Sequence, residues 1–597
     1  MKRALLLLAV AYAVVLTGEE EPRVYVDFQE IMIPMRDGVR LQTVILTPRN
    51  PKGPLPFLID RTPYGVPERE QVASGFPSAQ RWRSEKYISV FQNIRGRFRS
   101  EGKFAMFCPP HDAAASTDET TDAWDTVDWL VKNVPNNNGR AGMAGTSYDG
   151  WTAVMSALDP HPALKAVIEQ ASPADQFLGD DFHHNGAFRL SYGFEYAALL
   201  ETTATDNYHF EFDKHDTFDW YLGLGVLSNA EEKYFHGKMP TWRDFTRHPN
   251  YDEFWQRQAF ARYLGGVKLP IVHVAGWWDQ EDFYGPQEIY RLMERHDPEH
   301  WNYFVAGPWF HGGWQLDGSQ IGPIEFGSDT AQYYREKVYE PWFDHWLRGA
   351  EQKPLAEATV FETGANQWRE YAAWPPKEHV ESRRLYLRED RRLSADDPGR
   401  DGSFDRFVSD PANPVPYRPR PIPPTYPGPE WRVWLVQDQR FLQNRGDVLR
   451  WQTEPLTVDV RVAGEIQAEL LASTSGTDSD WVVKLIDVYP EDEKKLPGYQ
   501  LMVASEILRA RFRNSYSKPE PLPAGKAVNY AIGLHTNAHA FLKGHRIMVQ
   551  VQSSWFPLYD RNPQRYVPNI FEAHARDYVK ATQKIYRGSA IVLPVLR

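Results

Sequence analysis

The chain has 597 residues, more than one hydrophobic core can organise. A hydrophobic share of 42% and a charged share of 24% are ordinary for a globular protein and exclude a disordered or fibrous one. The formal net charge of −12 leaves no basic stripe to grip nucleic acid and disfavours docking on an anionic membrane.

Met1-Lys2-Arg3 and the apolar or small run from Ala4 to Gly18 have the charge order of a secretory signal. At about fifteen residues the run is short for a membrane span. Residues 1–18 are therefore expected to be an export signal with an ill-defined cut; a single uncleaved anchor is the alternative. β-type alternation begins at Val24. Phe57-Leu58-Ile59 reads as a buried strand leading into Arg61-Thr62-Pro63-Tyr64, and Tyr87 to Phe91 as another. Cys108, the single cysteine, excludes any disulfide within the chain and reads as structural. Ser116-Thr117-Asp118-Glu119 predicts a capping box, opening a helix with Trp124, Val127, Leu130 and Val131 on one face.

The strand after Asn136 ends in Gly145-Thr146-Ser147-Tyr148-Asp149-Gly150. A serine between small residues, joining a strand to a helix, suits a nucleophile elbow, although the second glycine stands one residue later than in G-x-S-x-G. From Ser172 to Tyr263 strand runs vanish and aromatic, acidic and His residues recur at helical spacing. That stretch, residues 172–263, is expected to be a helical cap over the carboxyl edge of a sheet. Strand signals return with Ile271 to Ala275, which ends in Gly276-Trp277-Trp278-Asp279-Gln280-Glu281-Asp282. They recur with Tyr303 to Ala306, which ends in Gly307-Pro308-Trp309-Phe310-His311. Each reads as a buried parallel strand with a polar residue at its carboxyl end, where an open α/β sheet collects its active-site residues. The order Ser147, Asp279, His311 is that of α/β-hydrolase triads. A helix from Asp329 to Leu347 closes this part. Past Gly349 the texture is all-β: a Pro-rich connection (Pro414 to Pro424), then alternation at Val458 to Val462, Ile466 to Leu470 and Ile547 to Val551. A sandwich or jelly roll is expected.

These segments together resemble the α-amino-acid ester hydrolases, in the group that holds cocaine esterase and the X-Pro dipeptidyl peptidases. The resemblance runs from Val24 to the C-terminus. It is densest in Arg61 to Tyr64, Thr117 to Leu130, Gly145 to Gly150, Gly179 to Phe182, Trp278 to Asp282 and Gly307 to His311. The late glycine of the elbow is shared with that family. The resemblance implies an α/β-hydrolase domain (24–171 and 264–349) with a helical cap insertion (172–263), plus a C-terminal all-β jelly-roll domain (350–597). It also implies an exported bacterial enzyme that forms homotetramers. Chemistry and resemblance together make Ser147 the nucleophile, His311 the base and Asp279 its orienting acid. The oxyanion donors would be the backbone N–H of Tyr148 and the hydroxyl of Tyr64; a turn tyrosine packed after Pro63 is the plain alternative for Tyr64. Asp181, Glu281 and Asp282 match a carboxylate cluster that binds the substrate's α-ammonium, whereas acids on a loop and a cap otherwise read as solvated or arginine-paired. Trp277 and Phe310 depart in bulk from that pattern and put the acyl side-chain preference in doubt. Asp149 reads equally as a helix N-terminal acid or as an adjuster of the site's charge.

The expected activity is cleavage of α-amino-acid esters or amides through an acyl-enzyme, with transfer to an amine such as a β-lactam nucleus implied by the family. The alternatives are a plain carboxylesterase, a glutaryl-type acylase or an X-Pro dipeptidyl peptidase of the same fold. A non-enzymatic alternative is an exported surface-binding protein on an inactive hydrolase scaffold. No HExxH, CxxC or phosphate-loop motif is present, so no cofactor or catalytic metal is expected. A structural calcium is left open with no ligand set to name.

Overall fold

The computed structural model describes residues 26–73, 81–110, 117–351, 355–399, 401–426 and 428–597. The signal-like segment and Ser116 lie outside the described residues. Among those described, no helix is long and apolar enough to cross a membrane.

Ten strands form one sheet: β1 (Val26–Pro34), β2 (Arg40–Pro48), β3 (Leu55–Thr62), β4 (Ile88–Asn93), β5 (Asn137–Thr146), β6 (Leu164–Gln170), β7 (Ile271–Gly276), β8 (Asn302–Gly307), β9 (Ala358–Glu362) and β10 (Gln367–Tyr371). Their order is β1-β2-β4-β3-β5-β6-β7-β8-β9-β10. From β4 to β9 every neighbouring pair is parallel, and only the outer strands run antiparallel. Parallel strands covered on both faces become near-continuous apolar runs, which is why β3, β7 and β8 were legible as short buried segments. The boundary expected at Gly349 cuts the chain before β9 and β10, which extend this sheet. Val360 and Phe361 are fully buried and β9 pairs with β8, so packing against the sheet outweighs the local all-β texture.

The helix Glu119–Asn133 is capped two residues later than the sequence suggests. Asp118 is the N-cap, accepting from Thr121 N, and the Thr121 hydroxyl returns the bond. Its buried face carries Ala123, Thr126, Val127 and Leu130, while Trp124 and Val131 are half-buried. Helical chain over 330–348, with Asp329 as N-cap, covers the same sheet. It packs tightly where β5 carries Gly142: a Cβ there would lie 2.7 Å from the Phe343 ring.

Between β6 and β7 the cap contributes the helices Leu190–Glu201, Thr217–Leu224, Pro240–Arg247 and Glu253–Gln258, with a two-residue hairpin at His183–His184 and Ala187–Phe188. Phe188, Phe194, Phe235, Trp242 and Phe245 pack ring against ring at its centre, joined by Phe571 from the C-terminal domain. Each such ring contributes about 1.5–3 kcal/mol by burial, so the cap is a packed body and not a loose flap.

The C-terminal domain is two antiparallel sheets. One is built around Val460–Thr474 and Val528–Phe541; the other runs Leu449–Gln452, Arg546–Gln552, Asp480–Val488, Gln500–Arg509. Val460, Val462, Ile466, Ala468 and Leu470 all point inward, as their alternation requires, and meet Val483, Leu485, Val549 and Val551 of the facing sheet. Val458 precedes the strand and is exposed.

Candidate active site

Ser147 sits at the top of β5 with φ 65° and ψ −126°, a strained backbone that non-glycine residues adopt only where the surroundings enforce it. The enforcement is visible. Ser147 N donates to Gln170 O at 2.9 Å, and a Cβ on Gly145 would lie 2.1 Å from the carbonyl oxygen of Asp149. The late glycine has its own reason: a Cβ on Gly150 would approach Gln170 O to 2.9 Å. The elbow therefore needs glycines two before and three after the serine.

β7 delivers Asp279 and β8 delivers His311, side by side because their strands are adjacent and in register. His311 Nδ1 lies 2.9 Å and 3.0 Å from the two Asp279 carboxylate oxygens. The backbone N–H of His311 donates to Gln280 Oε1 at 3.1 Å. Burial by itself would depress the imidazole, but Asp279, Glu281 and Asp181 outweigh it and raise it to about 9. Ser147 Oγ donates to Asp282 Oδ2 at 3.5 Å; no hydrogen bond joins it to His311 in this conformation. The structure thus brings the acid and the imidazole into contact and sets the serine hydroxyl against the neighbouring carboxylate.

Asp279 Oδ1 also accepts from the backbone amides of Glu281 (2.8 Å) and Asp282 (3.0 Å), so one carboxylate folds the whole acidic loop. Asp181 comes in from the cap. Its partner in sequence, Asp180, accepts from the amides of Ala174, Asp175 and Gly285 and is structural. Burial, and to a lesser extent Glu281, pushes the Asp181 carboxyl up to about 6. Burial and the surrounding acids Asp181, Asp180, Asp279 and Glu281 push Asp282 well above the usual carboxylate range. None of the three is arginine-paired: Arg189, the buried cation nearby, donates instead to the carbonyls of Gln280 (2.7 Å) and Glu281 (3.0 Å).

Tyr64 is held at the end of β3 by its own N–H on Thr62 Oγ1 (3.1 Å) and by Asn207 Nδ2 on its carbonyl (2.8 Å). Its hydroxyl meets that of Tyr196 at 2.7 Å. Tyr148 opens the helix Tyr148–Leu158; its ring stacks on Phe107 and its backbone N–H belongs to the unpaired first turn. Beyond Tyr64 and Thr146 lies a cavity of about 780 Å³ whose walls include Asp149, Gln170, Gln315 and Tyr334. Asp149, half-buried, borders that cavity and is pushed well above the usual range by burial. Trp277 is turned away from the acids: its indole donates to Phe361 O at 2.7 Å within the sheet core. Phe310 packs under the Arg432 guanidinium.

Residues 37–313 match the X-Pro dipeptidyl-peptidase (S15) family and residues 349–590 its C-terminal non-catalytic domain. The chain belongs to the X-Pro dipeptidyl-peptidase (S15) family. It is 30% identical to the cocaine esterase of Rhodococcus sp. (strain MB1 Bresler), over 95% of this chain and 98% of that one. It is 40% identical to an aminopeptidase from a marine sediment Thaumarchaeota archaeon, with a TM-score of 0.92 over 99% of this chain and 100% of the other. To an α-amino-acid ester hydrolase of known structure the identity is again 40%, with a TM-score of 0.90 over 98% and 100%. As an S15-family protein the chain is a serine hydrolase with the α/β-hydrolase fold and an all-β C-terminal domain.

Several residues at the S15-family site were not legible in the sequence. Tyr192 and Tyr196 face the acids and Tyr64 from one side of the cap helix, at i and i+4. That spacing was the available signal, masked by an apolar helix that is buried all round. Tyr426 and Trp431 reach Glu281 from the Pro-rich connection, and nothing local marks them.

Proposed function

We propose that this S15-family hydrolase cleaves esters or amides of α-amino acids whose amine is free and protonated. The observation that carries the reading is the set of carboxyls Asp181, Glu281 and Asp282, each less than a tenth exposed and none arginine-paired, gathered beside Ser147. Buried like charges repel, and the His311 imidazole, its Nε2 3.8 Å from Glu281 Oε2, leaves Asp181 and Asp282 still pushed up, so the pocket is stabilised by a further cation. A protonated amine one carbon from the scissile carbonyl supplies that cation in register with the nucleophile.

In this mechanism Ser147 Oγ attacks the carbonyl carbon while His311 Nε2 takes its proton, and Asp279 stabilises the imidazolium. The bond to the leaving oxygen or nitrogen breaks as His311 returns the proton, leaving the aminoacyl ester on Ser147. Water, or a competing amine, then attacks that ester by the reverse proton path. The Tyr64 hydroxyl and the Tyr148 N–H serve the oxyanion. The serine hydroxyl must leave Asp282 for His311, and an ammonium that occupies Asp282 favours this move.

Two similar structures support the substrate class: an aminopeptidase and an α-amino-acid ester hydrolase both act, by name, on substrates with an α-amine. A plain carboxylesterase is the second reading, favoured by the similarity to cocaine esterase. The test compares L-phenylalanine methyl ester with its N-acetylated twin. The reading expects kcat/KM higher by roughly 100-fold or more for the free amine, since unpaired buried polar groups penalise a ligand lacking the donor. Equal rates would leave the carboxylesterase. Fluorophosphonate labelling that survives Ser147→Ala would remove the nucleophile assignment.

A further inference from the structure

Glu281 is already fully engaged. An ionised carboxylate offers about four lone-pair directions. On Oε1 it accepts from Trp431 Nε1 (2.7 Å) and Gln280 Nε2 (3.3 Å); on Oε2 from the hydroxyls of Tyr192 (3.0 Å) and Tyr426 (3.2 Å). All four donors are neutral. Burial and the surrounding acids hold the Tyr192 and Tyr426 hydroxyls protonated, so they stay donors. An incoming ammonium would have to evict one of them and strand a buried donor.

Its two neighbours are in the opposite condition. Asp181 is 2% exposed and Asp282 is fully buried, yet the Oδ1 atom of each has no hydrogen-bond partner. Buried carboxyl oxygens are almost always satisfied, so two orphans in one pocket mark the place of a donor brought by a ligand. The other oxygen of Asp282 faces Ser147 Oγ, which places one orphan next to the nucleophile.

The donors on Glu281 come from three parts of the chain. Gln280 is on the loop after β7, Tyr192 is on the cap helix, and Tyr426 and Trp431 are on the connection leading into the C-terminal domain. That connection is clamped to the same cap helix by Glu195, which accepts from Thr425 N (2.8 Å), Thr425 Oγ1 (3.0 Å) and Tyr426 N (3.2 Å). Trp431, 3% exposed, is therefore presented to Glu281 by a fixed support.

We propose that the three acids are not equivalent: Asp181 Oδ1 and Asp282 Oδ1 receive the substrate's α-ammonium, while Glu281 is an anchor fixed by Trp431, Tyr426 and Tyr192. Trp431 and Tyr426 are then positioning residues contributed by the interdomain connection, and they keep Glu281 from competing for the ammonium. This division of labour rests on the free-amine reading above. Chemistry explains its use. The ammonium nitrogen and the scissile carbonyl are joined through one α-carbon, so an ammonium on Asp282 sets the carbonyl over Ser147. An ammonium drawn toward Glu281 sets it out of line.

The experiment uses the full chain with three probes: L-phenylalanine methyl ester, its N-acetyl twin, and methyl 3-phenylpropionate, which lacks the amine. Equal wild-type rates on all three sink the free-amine reading itself and are seen before any variant is made. Given a wild-type preference, Asp181→Asn and Asp282→Asn should each raise KM for the free-amine ester by about tenfold or more relative to whatever change they cause on the amine-free ester. Trp431→Phe keeps an aromatic side chain but removes the N–H donor together with part of the indole. It should lower kcat on the free-amine ester by about tenfold with KM equal or lower, and leave the amine-free ester unchanged. Tyr426→Phe, which removes one of the two donors on the other oxygen of Glu281, should show the same split and replaces Trp431→Phe if that variant melts early. The proposal is overturned if Glu281→Gln raises KM for the free amine as Asp181→Asn does while Trp431→Phe and Tyr426→Phe leave kcat intact. It is overturned equally if the two aromatic variants lose activity on all three esters alike.

Discussion

Asp279 and Asp282 are joined by a hydrogen bond from the Asp282 backbone amide to Asp279 Oδ1, at 3.0 Å. The same oxygen holds the imidazole of His311. The acid in contact with the imidazole thus also fixes the backbone that carries Asp282, the proposed ammonium acid, three residues further along one loop.

Asp279→Asn is expected to damage both functions. The amide cannot stabilise an imidazolium or fix its tautomer, which in a comparable triad costs about 10⁴ in kcat. Loss of the carboxylate also weakens the turn carrying Glu281 and Asp282, so the preference for a free amine should shrink in the residual activity. Steady-state rates on the ester and its N-acetyl twin give both numbers; residual activity with an unchanged preference would separate the two roles.

The pH profile follows from His311. Its raised value, about 9, means that the imidazole of the free enzyme is protonated at neutral pH and must lose that proton to act as base. For an ester without an amine, kcat/KM should climb with pH and level off near about 9. For a free-amine ester it should pass through a maximum, because the substrate's ammonium, with a reference value of about 8, is lost on the alkaline side. Asp181 helps raise His311. Asp181→Asn should therefore shift the acid limb to lower pH on the amine-free ester, and a limb that stays put or moves upward contradicts the electrostatic account.

In the proposed mechanism Tyr64→Phe removes one oxyanion donor and is expected to lower kcat by about 10²–10³. Tyr196→Phe leaves that donor in place and removes only its hydroxyl partner, so its effect should be smaller. Comparable losses in the two variants would mean that the Tyr64 hydroxyl acts through its pairing with Tyr196 (2.7 Å) and not on the substrate.

Glu506, on the C-terminal domain, bonds His535 of the same domain (2.6 Å) and His184 of the cap (3.1 Å). Burial alone would raise this carboxyl, but the two imidazoles hold it down at about 2. A depressed carboxylate stabilises the fold above its ordinary range, about 4.3, and that contribution disappears as pH falls toward 2. Glu506→Gln should cost about 1–3 kcal/mol at neutral pH, as weakening hydrogen bonds to a buried charged group does. The gap in melting temperature between wild type and variant should close on acidification through that window. A gap that persists at low pH would place the stabilisation in packing instead.

The sequence by itself determined the α/β order, the elbow and the family. Each is written in local chemistry: apolar runs of strand length, glycines where the backbone passes within contact of a carbonyl oxygen, and polar residues at strand ends. It also located Asp279 and His311, because adjacent parallel strands must present their carboxyl ends side by side. It did not carry the end of the first sheet, where β9 and β10 join through pairing across the fold. It did not separate Asp180 from Asp181 by role, nor Glu281 from Asp282. Only the tertiary structure decided that one acid is saturated by an indole and two phenols while its neighbours keep an oxygen free. Those donors arrive from residues 192, 426 and 431, and hydrogen-bond satisfaction is a property of where the chain returns in space.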